Sequence, residues 1–188
     1  DNIFETILQP NAILDASSSL DITPPVITPP NIPAEILLNT RFIFNFSAVD
    51  DLSGVEILKA TLDNNLVNSG DTITLSLVGN HLFRIEAVDK AGNPSVKEIP
   101  FKVVYKFSGF LPPLNKKSLI FQPGSAIPVK FELRYVNNKF VTTASSSLLF
   151  AKVTNGQAGT FEPAIPQGKS NTGNQFRALN KQYIYTWN

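Results

Sequence analysis

The strongest constraint in this 188-residue chain is a two-residue alternation of side-chain character that restarts after each turn-forming cluster. In Arg41–Val49, RFIFNFSAV, residues Phe42, Phe44, Phe46 and Ala48 fall on one side, and Ile43, Asn45, Ser47 and Val49 on the other. In a later run Ile127, Val129, Phe131 and Leu133 share one side, with Pro128, Lys130, Glu132 and Arg134 opposite. Successive side chains point to opposite faces in a strand, so this period specifies half-buried β-strands. Further strands are expected over Val55–Leu62, Thr72–Val78, His81–Val88, Val96–Tyr105, Ser147–Val153 and Gln182–Trp187. The breaks between runs are Asp63-Asn64-Asn65, Ser69-Gly70-Asp71, Gly79-Asn80, Asp89–Pro94 and Asn137-Asn138. Asn, Asp and Gly tolerate the positive φ that tight hairpin turns require. No run shows a useful length of helical period. Short strands spaced by roughly ten residues predict an all-β chain built as a sandwich or barrel.

Proline and serine mark the organisation. Residues 1–20, DNIFETILQPNAILDASSSL, hold two short apolar patches around Pro10 and then a serine run, and read as a strand-like segment with a linker. Asp21–Pro30, DITPPVITPP, is too rich in proline for a central strand and reads as an extended lead-in to a domain. That places a first unit over residues 21–105 and a second over 106–188. Within the second, Asn155–Asn174 is rich in Gly, Pro, Gln and Asn and predicts an exposed loop.

Composition removes several functions. A net charge of +1 lacks the basic face that nucleic acid requires, and no polybasic membrane anchor is present. No apolar run approaches the length of a membrane span. The absence of cysteine excludes disulfides, thiolate metal sites and thiol nucleophiles. His81 is the one histidine, so zinc sites and a Cys/His pair are excluded, and no Gly-x-Ser-x-Gly elbow supports a serine nucleophile. Beside the Gly79-Asn80 turn, His81 is expected to be solvated. The chain has no methionine and starts at Asp1, so its N-terminus is expected to arise from processing or from a longer sequence.

Three groups of residues carry candidate chemistry. Asp50, Asp51, Asp89 and Asn93 offer the oxygen ligands that calcium takes, on two loops that a sandwich can bring to one end. The same residue types are default turn formers, and Asp89–Asn93 needs no metal to turn. Asn45-Phe46-Ser47 is an N-glycosylation sequon on the side opposite the phenylalanines, which leaves Asn45 exposed. Lys130 alternates with Val129 and Phe131, so if those two face the core it faces solvent and is not placed for a Lys–Asn crosslink.

Two resemblances add to this reading. Residues 21–105, through Asp21-Ile22-Thr23-Pro24-Pro25, Asp51–Gly54 and Ala87–Asn93, resemble a bacterial immunoglobulin-like domain. Residues 107–188 are similar to the PxKF module, through Phe107–Leu111, Gly124–Leu133 with Pro128-Val129-Lys130-Phe131, Asn174–Arg177 and Gln182–Trp187. The resemblance implies two tandem immunoglobulin-like sandwiches of secreted or envelope proteins, often beside hydrolase or adhesion domains, and transfers no functional residue. It makes Tyr183, Tyr185 and Trp187 a core strand with Trp187 as the plug, rather than a row for stacking on sugars. Modules of this kind continue with about two more strands after Tyr-x-Tyr-x-Trp, whereas this sequence stops at Asn188. Either the sequence is truncated there, or a strand from a neighbouring chain completes the sandwich, with Ile3, Phe4, Ile7 and Leu8 as candidate donors.

The expected role is a non-enzymatic structural or adhesive module, extracellular or at the cell surface. It would associate with itself or with other envelope proteins, in the sharpest version as a filament or layer subunit joined by strand exchange. The rival is an accessory region of a secreted hydrolase, serving as a spacer or binding polysaccharide.

Overall fold

The computed structural model describes residues 21–116, 119–122, 124–169 and 171–187. The strand-exchange candidates Ile3, Phe4, Ile7 and Leu8 lie outside the described residues. The described chain is all-β and of the sandwich class, with no helix in it. Its first nine strands are β1 (Val26–Thr28), β2 (Glu35–Leu37), β3 (Arg41–Phe44), β4 (Ser47–Val49), β5 (Val55–Leu62), β6 (Asn65–Val67), β7 (Asp71–Thr74), β8 (Gly79–Asp89) and β9 (Pro94–Val104). The remaining eight are β10 (Lys106–Phe110), β11 (Ile127–Arg134), β12 (Leu149–Phe150), β13 (Val153–Thr154), β14 (Gln157–Ala158), β15 (Glu162–Pro163), β16 (Arg177–Leu179) and β17 (Gln182–Trp187). A five-stranded sheet runs β2-β9-β8-β5-β6 and a four-stranded sheet β10-β11-β17-β16. The pairs β1-β4, β3-β7, β12-β15 and β13-β14 complete the pattern. Two compact units divide these residues. One holds 21–32, Ile43–Thr72 and His81–Pro100; the other holds Pro33–Phe42, Ile73–Asn80 and 101–187.

In the first unit β5 and β8 pair antiparallel from Leu62↔Phe83 to Val55↔Asp89, and β6 returns along β5. Asp63 and Asn64 close that hairpin with φ of 50° and 68°, the left-handed pair that a two-residue turn needs. Alternation buries Phe83, Ile85 and Ala87 of β8 together with Phe44, Phe46, Ala60, Leu62 and Val67. The Phe83 ring sits 4.8 Å from Phe44 and 5.7 Å from Phe46, in the tilted and edge-on geometries that aromatic quadrupoles favour.

The expected continuous strand over Arg41–Val49 is instead broken at Asn45-Phe46. β3 pairs with β7 and β4 with β1, so the chain changes partners at the break. Ser69 covers it: its hydroxyl donates to the Phe46 carbonyl at 2.5 Å and accepts from the Phe46 N–H at 2.9 Å. The alternation itself survives, with Phe44 and Phe46 buried and Ile43, Asn45, Ser47 and Val49 exposed. Proline does not prevent a strand at β1, which lies between the two Pro-Pro pairs and pairs on one side only, with β4.

In the second unit β11 and β17 pair from Ile127↔Trp187 to Phe131↔Tyr183. Val129, Phe131, Tyr183 and Tyr185 form its buried centre, and Phe131 stacks on Tyr183 at 5.1 Å with an interplanar angle of 9°. The phenols remain bonded inside: Ala144 N–H donates to the Tyr183 hydroxyl at 2.9 Å, and the Tyr185 hydroxyl donates to the Ala164 carbonyl at 2.9 Å. Burial pushes both hydroxyls above the usual phenol range. Trp187 is half-buried, packing against Val129, Ala164 and Tyr185, with its ring 5.4 Å from Phe150.

Three sequence expectations need correction. Thr72–Val78 is not one strand, because pairing ends after Leu75, whose N–H and carbonyl bond the Thr40 carbonyl and the Asn39 N–H. Ser147–Val153 carries β12 and the first residue of β13 rather than one strand, because the two pair with different partners, β15 and β14. The loop expected over Asn155–Asn174 contains β14 and β15, with Asn155-Gly156 (φ 52° and 78°) closing the β13-β14 hairpin.

Phe83 is fully buried between two aromatic rings, so truncation leaves a cavity that the turn-locked hairpin cannot collapse into. Phe83→Ala is expected to cost about 3–5 kcal/mol, read as a lowered urea midpoint with unchanged slope.

Candidate functional site

An apolar groove of about 410 Å³ opens in the second unit. Tyr105, Phe107 and Phe110 form one wall, Phe131 and Leu133 the floor, and residues 144–149 with Phe176 the far side. Two features of β10 create it. The first is a register shift between Phe107, opposite Leu133, and Phe110, opposite Phe131. Residues three apart face opposite ways in a regular strand, but the bulge at Ser108-Gly109 puts both rings on the same side. Gly109 permits it with φ of 96°, where a side chain would strain the backbone. The rings then converge on Phe131, with centroids at 5.7 Å for Phe107 and 6.3 Å for Phe110. They stay 51% and 43% exposed, well above a core ring. The second feature is position: among the described residues β10 is hydrogen-bonded to β11 alone and forms the edge of its sheet.

No carboxylate, ammonium, guanidinium or imidazole lines this groove; the phenol of Tyr105 is its one titratable lining group. Its chemistry is contact with an apolar face, supplemented by the hydroxyls of Ser145, Ser146 and Ser147.

A different site lies in the first unit, where the carboxylate oxygens of Asp21, Asp50 and Asp89 all come within 4.8 Å of one another. Asp89 ends β8 at the next inward position after Ala87, and is fully buried. It accepts from the Asn93 N–H and the Asn93 side-chain amide, both at 2.8 Å, and that amide also donates to the Asp21 carbonyl at 3.0 Å. Asp21 accepts from the Thr23 N–H at 2.9 Å and the Ser53 N–H at 3.1 Å. Asp50 accepts from the Gly54 N–H at 2.8 Å. Bonding by Ser53 and Thr23 holds the Asp21 carboxyl below its ordinary value.

Of the expected calcium ligands, Asp50, Asp89 and Asn93 come together, whereas Asp51 is exposed and outside the group. Asp21 takes its place, and no spacing in the sequence relates it to Asp50 and Asp89. An all-oxygen set of three carboxyl groups suits a hard cation in kind. In this structure N–H donors engage the same oxygens, making the set a latch between the lead-in segment and two loops.

His81 corrects the expectation of a solvated ring: its side chain is 9% exposed and its Nδ1 lies 2.6 Å from the Asp63 carboxylate. Asn45 of the sequon is exposed, as read from alternation. Lys130 is half-buried rather than free in solvent.

No protein-family model matches this chain, and no curated protein matches it. Among solved structures it is similar to SGBP-B of the Bacteroides ovatus mixed-linkage glucan utilization locus, in complex with a mixed-linkage heptasaccharide, at 16% identity and a TM-score of 0.31. The match covers 89% of this chain and 40% of that one. At that TM-score the likeness carries no argument about this chain.

Removing the fully buried Asp89 carboxylate takes the side-chain acceptor from the Asn93 N–H and one of two from its amide, so Asp89→Ala is expected to lose about 1–3 kcal/mol in urea titration. A rise in the midpoint on adding calcium, absent in Asp89→Ala, would assign these oxygens to a cation instead. The Asp21 carboxyl titrates lower folded than unfolded, so its contribution is present above the unfolded value of 3.8 and lost as pH falls through the folded one. The thermal midpoint should therefore drop on acidification below about pH 4, and drop less in Asp21→Asn.

Proposed function

We propose that this chain is a non-enzymatic structural or adhesive module of an extracellular or cell-surface assembly, and that it holds a neighbour through the groove beside β10. The observation that carries the reading is the pair of half-exposed rings, Phe107 and Phe110, set in an apolar groove along a one-sided sheet edge. An edge strand offers main-chain hydrogen bonds to an added strand, and the adjacent groove receives its alternate side chains. Exposed aromatic rings in a concave surface contribute strongly when a partner covers them. The groove is lined by aromatic and aliphatic side chains and serines with no charged group, which supports a contact role. No helix among the described residues is long and apolar enough to cross a membrane.

One observation favours a second reading, an accessory region that binds polysaccharide. Phe107 and Phe110 share the groove lining with Tyr105, Ser145, Ser146 and Ser147, a mixture of aromatic and hydroxyl-bearing residues suited to a sugar's apolar face and its hydroxyls.

Phe107→Ser/Phe110→Ser separates the readings. Both rings are about half in solvent but touch Phe131, so the variant is expected to lose some thermal stability, and association is compared well below its midpoint. Under the first reading the wild-type chain self-associates in sedimentation velocity and the variant stays monomeric. A wild-type chain that is monomeric throughout but retarded by soluble polysaccharide in native gels, with retardation lost in the variant, would replace the first reading by the second.

A further inference from the structure

We propose that the occupant of the groove is residues 3–8, Ile3-Phe4-Glu5-Thr6-Ile7-Leu8, of a second copy of this chain; this rests on the reading of the groove as a contact site. Charge complementarity supports the choice. Residues 1–40 carry Asp1, Glu5, Asp15, Asp21 and Glu35 and no lysine or arginine. Residues 99–131, which include β10 and most of β11, carry Lys102, Lys106, Lys116, Lys117 and Lys130 and no aspartate or glutamate. Asp21 is engaged by Thr23 and Ser53 and Glu35 lies opposite Lys102, which leaves the acidic apolar stretch before residue 21 and the lysines of β10 and β11, Lys106 and Lys130, as the complementary charges. Opposite charges steer the encounter and disfavour wrong partners.

The pattern of the segment selects an orientation. Extended, it presents Phe4, Thr6 and Leu8 on one face and Ile3, Glu5 and Ile7 on the other. The groove has no cation among its lining residues, and an unpaired carboxylate is costly to bury, so Phe4 and Leu8 enter and Glu5 faces out. Outward, Glu5 lies on the side of β10 that carries Ser108, away from Phe107 and Phe110. The chain length allows the reach. Twelve residues, 9–20, separate Leu8 from Asp21, which Ser53 and Asn93 hold in place. Thirteen peptide steps span up to about 45 Å, enough to leave the chain's own first unit and meet another copy.

The absence of native cysteine makes the test clean. Full-length Glu5→Cys and full-length Ser108→Cys are mixed, oxidised mildly and analysed by intact mass. A mixed disulfide dimer is expected. It should exceed by on the order of tenfold the yield with Ala178→Cys, on the opposite sheet edge, because docking raises the effective thiol concentration towards the mM range. Phe4→Asp/Leu8→Asp should remove both the preference and the self-association, and added salt should slow association. Equal yields at the two edges, or a disulfide that forms only within one chain of a Glu5→Cys/Ser108→Cys double variant, overturns the proposal. If self-association survives Phe4→Asp/Leu8→Asp but not Phe107→Ser/Phe110→Ser, the assignment of residues 3–8 is wrong while the groove remains a contact site. If it survives both, the groove reading fails as well.

Discussion

The second unit depends on the ring of Phe131. It stacks on Tyr183 and receives the edges of Phe107, Phe110 and Phe176. The fully buried ring of Tyr183 backs it from the next strand, β17. The same ring is part of the groove floor. One residue thus belongs to the core and to the groove. A preorganised surface of this kind would lower the ordering cost for the partner proposed above.

The first unit meets a different constraint at Asp89. Alternation along β8 places Phe83, Ile85 and Ala87 inward, and the next inward position is a carboxylate. An acidic side chain is tolerated there because Asn93, four residues on, supplies two donors. Asn93 then extends the contact to the Asp21 carbonyl, and Asp21 to Ser53. The start of the described chain is therefore tied to two inter-strand loops by polar groups that satisfy one another.

Much of the fold was legible because it follows from local pattern. The bounds of β5 and β17 coincide with the alternating runs, and the Tyr183 and Tyr185 positions follow from period two. The features that escaped depend on pairing partners, which a single run does not specify. Nothing within RFIFNFSAV announces that its halves join different strands, and only Ser69, far along the chain, covers the gap. The shared face of Phe107 and Phe110 depends on a bulge at Ser108-Gly109, which alternation alone does not show. Asp21 reads as a lead-in residue, His81 as a turn neighbour; each acquires a partner only when the sheet folds.

The bulge in β10 also explains how an apolar sheet edge can be kept specific. A long, flat, hydrophobic edge pairs indiscriminately and invites aggregation. Ser108-Gly109 interrupts the ladder, and Lys106 adds a charge beside it, so main-chain pairing alone is weakened there for any incoming strand. The rings that the bulge turns inward offer compensation only to a segment with apolar side chains at the right spacing. The device that weakens nonspecific pairing is therefore the one that builds the groove, which is why edge and groove coincide in this molecule.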